Sequence, residues 1–423
     1  MTNKRLQREL GLFGAVMLGL GSIIGTGVFV SIGIAAGVTG KAVIFAVILA
    51  ALVALCNGLS SAQLAADHAV SGGTYEYGYR FLKPMFGFLA GWMFLLAKSA
   101  SAATAALGFA GYFLSLFGIS AGGFTIVIAL GAVLVLTLTV ISGLKRSNLS
   151  NTIMVAISVL SLGLLILWGL PRSISASQSV FTLSSSLDWS AFFYASALMF
   201  VAYTGYGRIA TLGEEVKNPE TTIPKAMITT LVVTMILYGL VAFVAVSLLG
   251  AGPLAAASKT AAPLEAVART LNFPFLPQIL ALGAMTAMLG VLLNLLLGLS
   301  RVLLAMGRRG DMPRLFARLN QAGTSPTPAV IAVATVIAAL VLIGNVKLTW
   351  SFSAFTVLVY YSITNLAALR IAKEKRLFPS WVSWLGLLSC LTLAVFVEAR
   401  VLVWGLVSIA AILLLFFVLQ RSR

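Results

Sequence analysis

Charged residues punctuate this chain at wide intervals, and the stretches between them are almost continuously apolar. Glu9 to Lys41 encloses 31 uncharged residues, Lys41 to Asp67 encloses 25, Lys98 to Lys145 encloses 46, and Arg146 to Arg172 encloses 25. The second half repeats the pattern. Asp188 to Arg208 encloses 19, Lys225 to Lys259 encloses 33, Arg269 to Arg301 encloses 31, Arg318 to Lys347 encloses 28, and gaps of 22, 21 and 20 follow. A helix needs about 20 apolar residues to cross the hydrocarbon layer of a bilayer. The 46-residue gap contains Gly118, Gly122 and Gly123 and divides into two spans, the first beginning near Pro84. The pattern therefore predicts an all-α integral membrane protein with twelve transmembrane helices. A membrane barrel would show short alternating segments instead of these long, unbroken runs of Leu, Ala, Ile and Val.

Composition agrees. With 60% apolar and 9% charged residues and a mean hydropathy of +1.05, the chain has more apolar surface than a soluble protein of 423 residues can bury. The net charge of +17 is spread over connecting segments, so it does not form the single basic patch of a nucleic-acid-binding protein. It reads as topology. With the N-terminus in the cytoplasm, the inner segments carry 19 Lys and Arg residues and the outer ones only six: Lys41, Arg172, Lys259, Arg269, Lys347 and Arg400. The positive-inside rule then places both termini in the cytoplasm. The first span is too long for a signal peptide and lacks a small-residue cleavage site, so it is expected to be retained. Cys56 and Cys390 lie in separate apolar spans, and they read as small buried hydrophobes, with no disulfide framework and no metal site.

Two spans break the apolar pattern with glycine. The first reads Gly19-Leu-Gly21-Ser22-Ile23-Ile24-Gly25-Thr26-Gly27-Val28-Phe29, and the sixth reads Phe200-Val201-Ala202-Tyr203-Thr204-Gly205-Tyr206-Gly207. Such glycine density weakens a helix in its middle. The two Gly-x-Gly pairs lie 180 residues apart, each in the first span of a five-span half. Interruptions at corresponding positions of two halves point to the substrate site of an inverted-repeat transporter. Amides freed at the first break, beside a half-helix N-terminus, suit a carboxylate, and carbonyls freed in both breaks suit an ammonium group. The alternative is that the glycines serve close helix packing.

At this point the chain resembles a known family, the amino acid-polyamine-organocation superfamily of secondary transporters. The resemblance rests on Gly21-Ser-Ile-Ile-Gly-Thr-Gly-Val-Phe29, on Gly213-Glu-Glu-Val-Lys-Asn-Pro-Glu-Thr-Thr-Ile-Pro-Lys225, and on Arg301-Val-Leu-Leu-Ala-Met-Gly-Arg-Arg-Gly-Asp-Met-Pro313. It implies a 5+5 inverted-repeat core with broken helices 1 and 6: residues 1–170 as the first repeat (spans 1–5), 171–376 as the second (spans 6–10), and 377–423 as a peripheral pair. It also implies a plasma-membrane permease that moves amino acids by alternating access. The substrate would lie against Ser22, Ile23, Ile24, Gly25, Thr26 and Gly27 of span 1 and Phe200, Val201, Ala202, Tyr203, Thr204 and Gly205 of span 6. By position, Thr26 and Gly27 resemble carboxylate-binding residues, the carbonyls of Ile23, Val201 and Thr204 resemble amine-binding groups, and Phe200 or Tyr203 resembles an aromatic gate. Glu214 and Glu215 belong to a gating-loop signature.

Lys98 lies about 14 residues into its span, near mid-membrane at about 1.5 Å per residue, and no acidic residue occurs in any apolar span. A lysine there must find a partner on another span or shed its proton, so it is a candidate for proton coupling. It could equally cap backbone carbonyls beside a helix break. Some relatives place a lysine in span 5 where others hold sodium, and the matching position here is Ser158. Ser158 and Asn294 offer oxygens in spans 5 and 8 for sodium, although such residues often satisfy neighbouring groups instead. Where many relatives have Gly-Phe-Glu or Gly-Phe-Asp in span 6, this chain has Gly205-Tyr206-Gly207-Arg208. If Arg208 faces the cavity it repels dibasic substrates; if it faces Glu214 and Glu215 it is a local ion pair.

An enzyme needs clustered acid-base or metal-binding groups. His68 is the only histidine and lies in a loop beside Asp67, and Ser22 and Thr26 have no base to activate them, so no catalytic residue is assigned. An ion channel lacks a ring of filter residues here. The expected function is transport of neutral L-amino acids with proton coupling, sodium being the other possible ion and no further cofactor being needed. An amino acid or polyamine exchanger, or a non-transporting sensor with the same site, stays open, as does the oligomeric state.

Overall fold

The computed structural model describes residues 10–68, 72–119, 122–142, 148–175, 187–210, 216–320 and 325–421. Its first half comprises α1 (Leu12–Ile23), a π-helical turn (Gly27–Ser31), α2 (Ile32–Thr39), α3 (Val43–Asp67), α4 (Thr74–Phe81), α5 (Pro84–Leu116), α6 (Phe124–Ile141) and α7 (Asn148–Ser175). The second half begins with α8 (Trp189–Tyr203), a 3₁₀ turn (Thr204–Tyr206), α9 (Gly207–Ala210), α10 (Pro219–Leu249), α11 (Ala251–Ser258) and α12 (Pro263–Arg269). It continues with α13 (Leu276–Arg309), α14 (Thr327–Leu342), α15 (Val346–Ala368), α16 (Ser380–Val395) and α17 (Ala399–Arg421). Among the described residues no strand forms. A lone parallel bridge joins Leu10 to Val216, where the Lys217 amide donates to the Leu10 carbonyl at 2.9 Å.

Local chemistry sets the helix ends. Pro84 and Pro219 open α5 and α10, where their missing N–H removes nothing a helix uses. The Asp188 side chain caps α8 by accepting from the Ser190 and Ala191 amides at 2.9 and 3.1 Å, and Asn345 caps α15 through the Leu348 amide at 2.9 Å. Both are side-chain N-caps of the usual polar kind.

Among the described residues, eight helical stretches are long and apolar enough to cross a membrane, the first being Leu12–Asp67, which holds α1 to α3. This is a multi-pass membrane fold. Helices α14 and α16, with 16 residues each, reach only about 24 Å at about 1.5 Å per residue, short of the roughly 30 Å hydrocarbon layer. The distance between charges overstates helix length here: the gap from Arg318 to Lys347 contains Pro326, before the helix starts, and Gly344 with φ +67°, after it ends.

Helix α5 is central and packs most extensively on α13 and α15. Its spanning window is 78% buried and that of α15 is 83%, against 22% for α17 and 28% for α6, which separates inner helices from those left to face lipid. Helix α16, expected to be peripheral, is tied inward. Ser383 shares a 2.9 Å hydroxyl bond with Ser60, and the Cys390 thiol donates to Asn57 Oδ1 at 3.3 Å. Asn57 in turn accepts from Asn365 Nδ2 at 2.7 Å. Cys390 is thus buried as expected, but as a hydrogen-bonding thiol; Cys56 is only partly buried.

The stretch Arg301 to Pro313 has a clear structural task at one end of α5 and α13. Gly310 ends α13 with φ +87°, and Asp311 Oδ2 accepts from the Tyr75 and Tyr79 hydroxyls of α4 at 2.7 and 2.6 Å. Arg309 lies over both tyrosine rings and pairs with Glu76 at 2.8 Å. Burial, reinforced by the Asp311 carboxylate, pushes the Tyr75 hydroxyl up, so it stays a donor at physiological pH.

Candidate functional site

The first glycine pair does unwind its helix. The Ile24 amide closes α1 by donating to Leu20 at 2.8 Å, but Ile24 itself is extended, with φ −71° and ψ 111°. Helical bonding resumes only when the Val28 and Phe29 amides both reach the Gly25 carbonyl at 3.2 Å. The Gly25, Thr26 and Gly27 amides in between have no acceptor among the described residues, as the opening turn of any helix leaves its first amides. The buried Thr26 hydroxyl likewise has no partner.

The second pair behaves differently. At Thr204 the helix tightens into a 3₁₀ turn and continues into α9 without becoming extended. Side chains take up the groups released. The Tyr361 hydroxyl donates to the Thr204 carbonyl at 3.2 Å, the Thr204 hydroxyl donates to the Val201 carbonyl at 2.8 Å, and Lys98 Nζ donates to Thr204 Oγ1 at 2.9 Å.

The two interruptions meet. A Cβ on Gly205 would run into the backbone of Ser22 and Ile23, and one on Gly27 would lie 2.5 Å from Ala202 Cβ and 2.7 Å from its Cα. Close packing and chain interruption are therefore both present. Gly25 makes room for Val291 of α13, whose Cγ2 would stand 2.6 Å from an added Cβ, and Gly207 for the Tyr361 hydroxyl.

Between the breaks lies a cavity of about 40 Å³, room for roughly three waters at about 10–15 Å³ each. Of the sequence-predicted residues, Ser22, Ile23, Thr26, Gly27, Val201, Ala202, Thr204 and Gly205 line it. Ile24 instead faces a second, smaller cavity, and Gly25 packs on α13. Phe200 and Tyr203, the expected gate aromatics, are not in the lining. Phe200 stands edge-on to Tyr361 with centroids 5.7 Å apart, and Tyr203 lies against Tyr238 at 5.1 Å. A helical turn of Tyr203 away from the cavity accounts for this, because Val201 and Thr204 occupy the inward face.

The expected amine-binding carbonyls already carry donors. Ile23 accepts from the Tyr238 hydroxyl at 2.8 Å, Val201 from Thr204, and Thr204 from Tyr361. Each keeps a second lone pair. Lys98, 9% exposed, is the one ionisable side chain among the described lining residues. It projects from α5 onto the second break, where it donates to the Thr204 hydroxyl.

Four lining residues escaped the sequence reading: Ser101, Val291, Leu295 and Trp350. Ser101 pairs with Ser353 across 2.7 Å, and Thr104 with Thr349 across 2.8 Å. The hydroxyls at Thr349 and Ser353 inside an apolar span were a signal that this stretch of α15 faces protein.

Ser158 and Asn294 sit elsewhere. Ser158 lines the second cavity, of about 10 Å³, and its hydroxyl is directed at the Met154 and Gly283 carbonyls at 2.8 and 3.1 Å. Asn294 reaches the Gly21 carbonyl at 3.4 Å. Arg208 is absent from the cavity lining, while Glu214 and Glu215 lie outside the described residues. His68 stands edge-on to Phe81.

Comparison with known proteins places the chain in a family. The family model described as "Amino acid permease" matches residues 14–422. An uncharacterized transporter of Mycobacterium tuberculosis is 38% identical over 92% of this chain and 86% of its own length. The branched-chain amino acid permease of Bacillus subtilis is 30% identical over 76% of this chain and 72% of its own, and the serine/threonine exchanger of the same species is 28% identical over 88% and 85%. From its helices, its interrupted spans and these matches, the chain belongs to the amino acid permease family of the amino acid-polyamine-organocation superfamily.

Proposed function

We propose that this protein is a secondary transporter that carries neutral L-amino acids across the plasma membrane by alternating access, with proton coupling through Lys98. The observation that carries the reading is the cavity itself: two helix interruptions 180 residues apart in sequence touch around one buried space. Counting Leu12–Asp67 as two spans and α8 with α9 as one gives twelve, arranged as repeats over residues 1–170 and 171–376 with 377–423 following, both termini cytoplasmic.

In this reading the unpaired amides from Gly25 to Gly27 and the Thr26 hydroxyl receive the substrate carboxylate, the geometry a helix N-terminus favours. The ammonium group takes the remaining lone pairs of the Ile23, Val201 and Thr204 carbonyls. Lys98 argues against arginine or polyamines, since like charges repel strongly in a low-dielectric cavity. A charged lysine with no acidic neighbour in the lining is costly, so its proton state and substrate occupancy influence one another. Ser158 and Asn294, turned toward backbone carbonyls, support sodium less.

The test is uptake by purified protein in liposomes, using labelled amino acids and polyamines under imposed pH and sodium gradients. Saturable uptake of neutral amino acids driven by the pH gradient is expected. Uptake that ignores the pH gradient in the intact protein overturns the coupling, and uptake driven only by preloaded internal amino acid assigns exchange instead.

A further inference from the structure

Besides the two breaks, the cavity is lined by Val291 and Leu295 of α13 and Trp350 of α15. These three are the apolar part of the lining that neither broken helix supplies. Their positions are fixed. Trp350 is 3% exposed, and its indole N–H donates to the Leu198 carbonyl at 2.9 Å, so swinging the ring away would strand a buried donor. Ser353, one turn along α15, is bonded to Ser101 of α5, which holds that turn against the cavity. Val291 presses on the first break at Gly25.

The polar side chains of the lining are Ser22 and Thr26 at the first break, Thr204 at the second, and Lys98 and Ser101 of α5. For a zwitterion held by its carboxylate and ammonium at the breaks, the apolar surface that the other helices offer its side chain is Val291, Leu295 and Trp350. The cavity must widen to take any amino acid, and Trp350, held by its bond to Leu198, limits how far it can do so.

We infer that Trp350, backed by Leu295 and Val291, is the size-determining element of the site and restricts substrates to small aliphatic or hydroxyl side chains. This rests on the amino acid reading above and narrows it. Alanine and serine are preferred, valine is weaker, and leucine and phenylalanine are largely refused. Each methylene that fails to fit changes discrimination by about 10- to 200-fold.

The experiment measures uptake of alanine, serine, valine, leucine and phenylalanine by the intact protein and by Trp350→Leu and Leu295→Ala, each checked for monodispersity in detergent. Expected are an intact protein that prefers alanine to phenylalanine and a phenylalanine-to-alanine uptake ratio that rises at least about tenfold in Trp350→Leu, with a smaller rise in Leu295→Ala. If Trp350→Leu does not fold, the ratio in Leu295→Ala decides. Equal uptake of alanine and phenylalanine by the intact protein, or an unchanged ratio in the monodisperse variants, overturns the size stop while leaving amino acid transport standing. An intact protein that takes up no amino acid overturns the transport reading, and the stop with it.

Discussion

The two glycine pairs, alike in sequence, produce different structures. At Gly25 the chain becomes extended and leaves amides unpaired, whereas at Gly205 it tightens into a 3₁₀ turn whose freed groups are taken up by Tyr361 and Lys98. One break keeps amides without an acceptor among the described residues. The other is held by the protein. The difference arises from what surrounds each. Around the first, Val291 and Ala202 crowd in without accepting from its amides; around the second, α5 and α15 contribute a lysine and a tyrosine. An interrupted helix in lipid must have its backbone groups satisfied by protein or by cavity contents, and the two breaks divide those solutions between them.

The largest effect is expected from Gly205→Ala. The added methyl would meet the Ser22 carbonyl and the Ile23 amide, which are backbone atoms that cannot rotate away. Forced overpacking costs about 1–3 kcal/mol, occasionally more, and this site belongs at the upper end. Thermal unfolding of the purified variant should show the loss, together with abolished uptake. Wild-type stability would mean the two breaks are farther apart than described.

Gly27→Ala tests the same contact from the other side. Its methyl meets Ala202 Cβ at 2.5 Å but also Cα at 2.7 Å. Ala202→Gly removes the nearer obstacle, so the double variant should recover part of the roughly 1–3 kcal/mol lost by Gly27→Ala alone. Gly205→Ala has no such rescue. Equal behaviour of the two, in a double-mutant comparison of melting temperature, would erase the distinction.

How much of this was legible beforehand follows from the same contrast. The spacing of charges located the apolar spans, and the glycine pairs located both interruptions, because each is a property of local sequence. What the sequence did not disclose was form. Whether a glycine unwinds a helix or lets another backbone approach depends on atoms 180 residues away, as Gly205 against Ser22 shows. Phe200 and Tyr203 lie off the cavity lining because the rotation of α8 about its axis is fixed by tertiary packing, which local sequence does not show. Trp350, Val291 and Leu295 went unnoticed since an apolar residue facing a cavity is indistinguishable in sequence from one facing lipid. Lys98 was conspicuous, being the rare charge in an apolar span, but its partner Thr204 could not be inferred.

Lys98→Met sharpens the comparison by emptying the second break of its cation. The side chain is of similar length and keeps the packing, so folding should survive. The pH dependence of uptake should flatten over the range in which the intact protein responds. Transport that keeps its full pH response in this variant removes Lys98 from coupling and leaves it as a structural prop for Thr204.

The smallest effect belongs to Tyr361→Phe, which deletes only the hydroxyl bonded to the Thr204 carbonyl at 3.2 Å. A lost neutral hydrogen bond is worth about 1 kcal/mol, and the ring contacts with Phe200 and Tyr206 remain. A melting temperature lowered by a few degrees is expected, with uptake kept. If the second break is held by the protein as described, the released carbonyl gains a lone pair that can accept the substrate ammonium, so half-saturation for alanine should fall slightly while the maximal rate stays close to wild type. A variant with unaltered half-saturation would show that Tyr361 supports the turn without competing for its carbonyl.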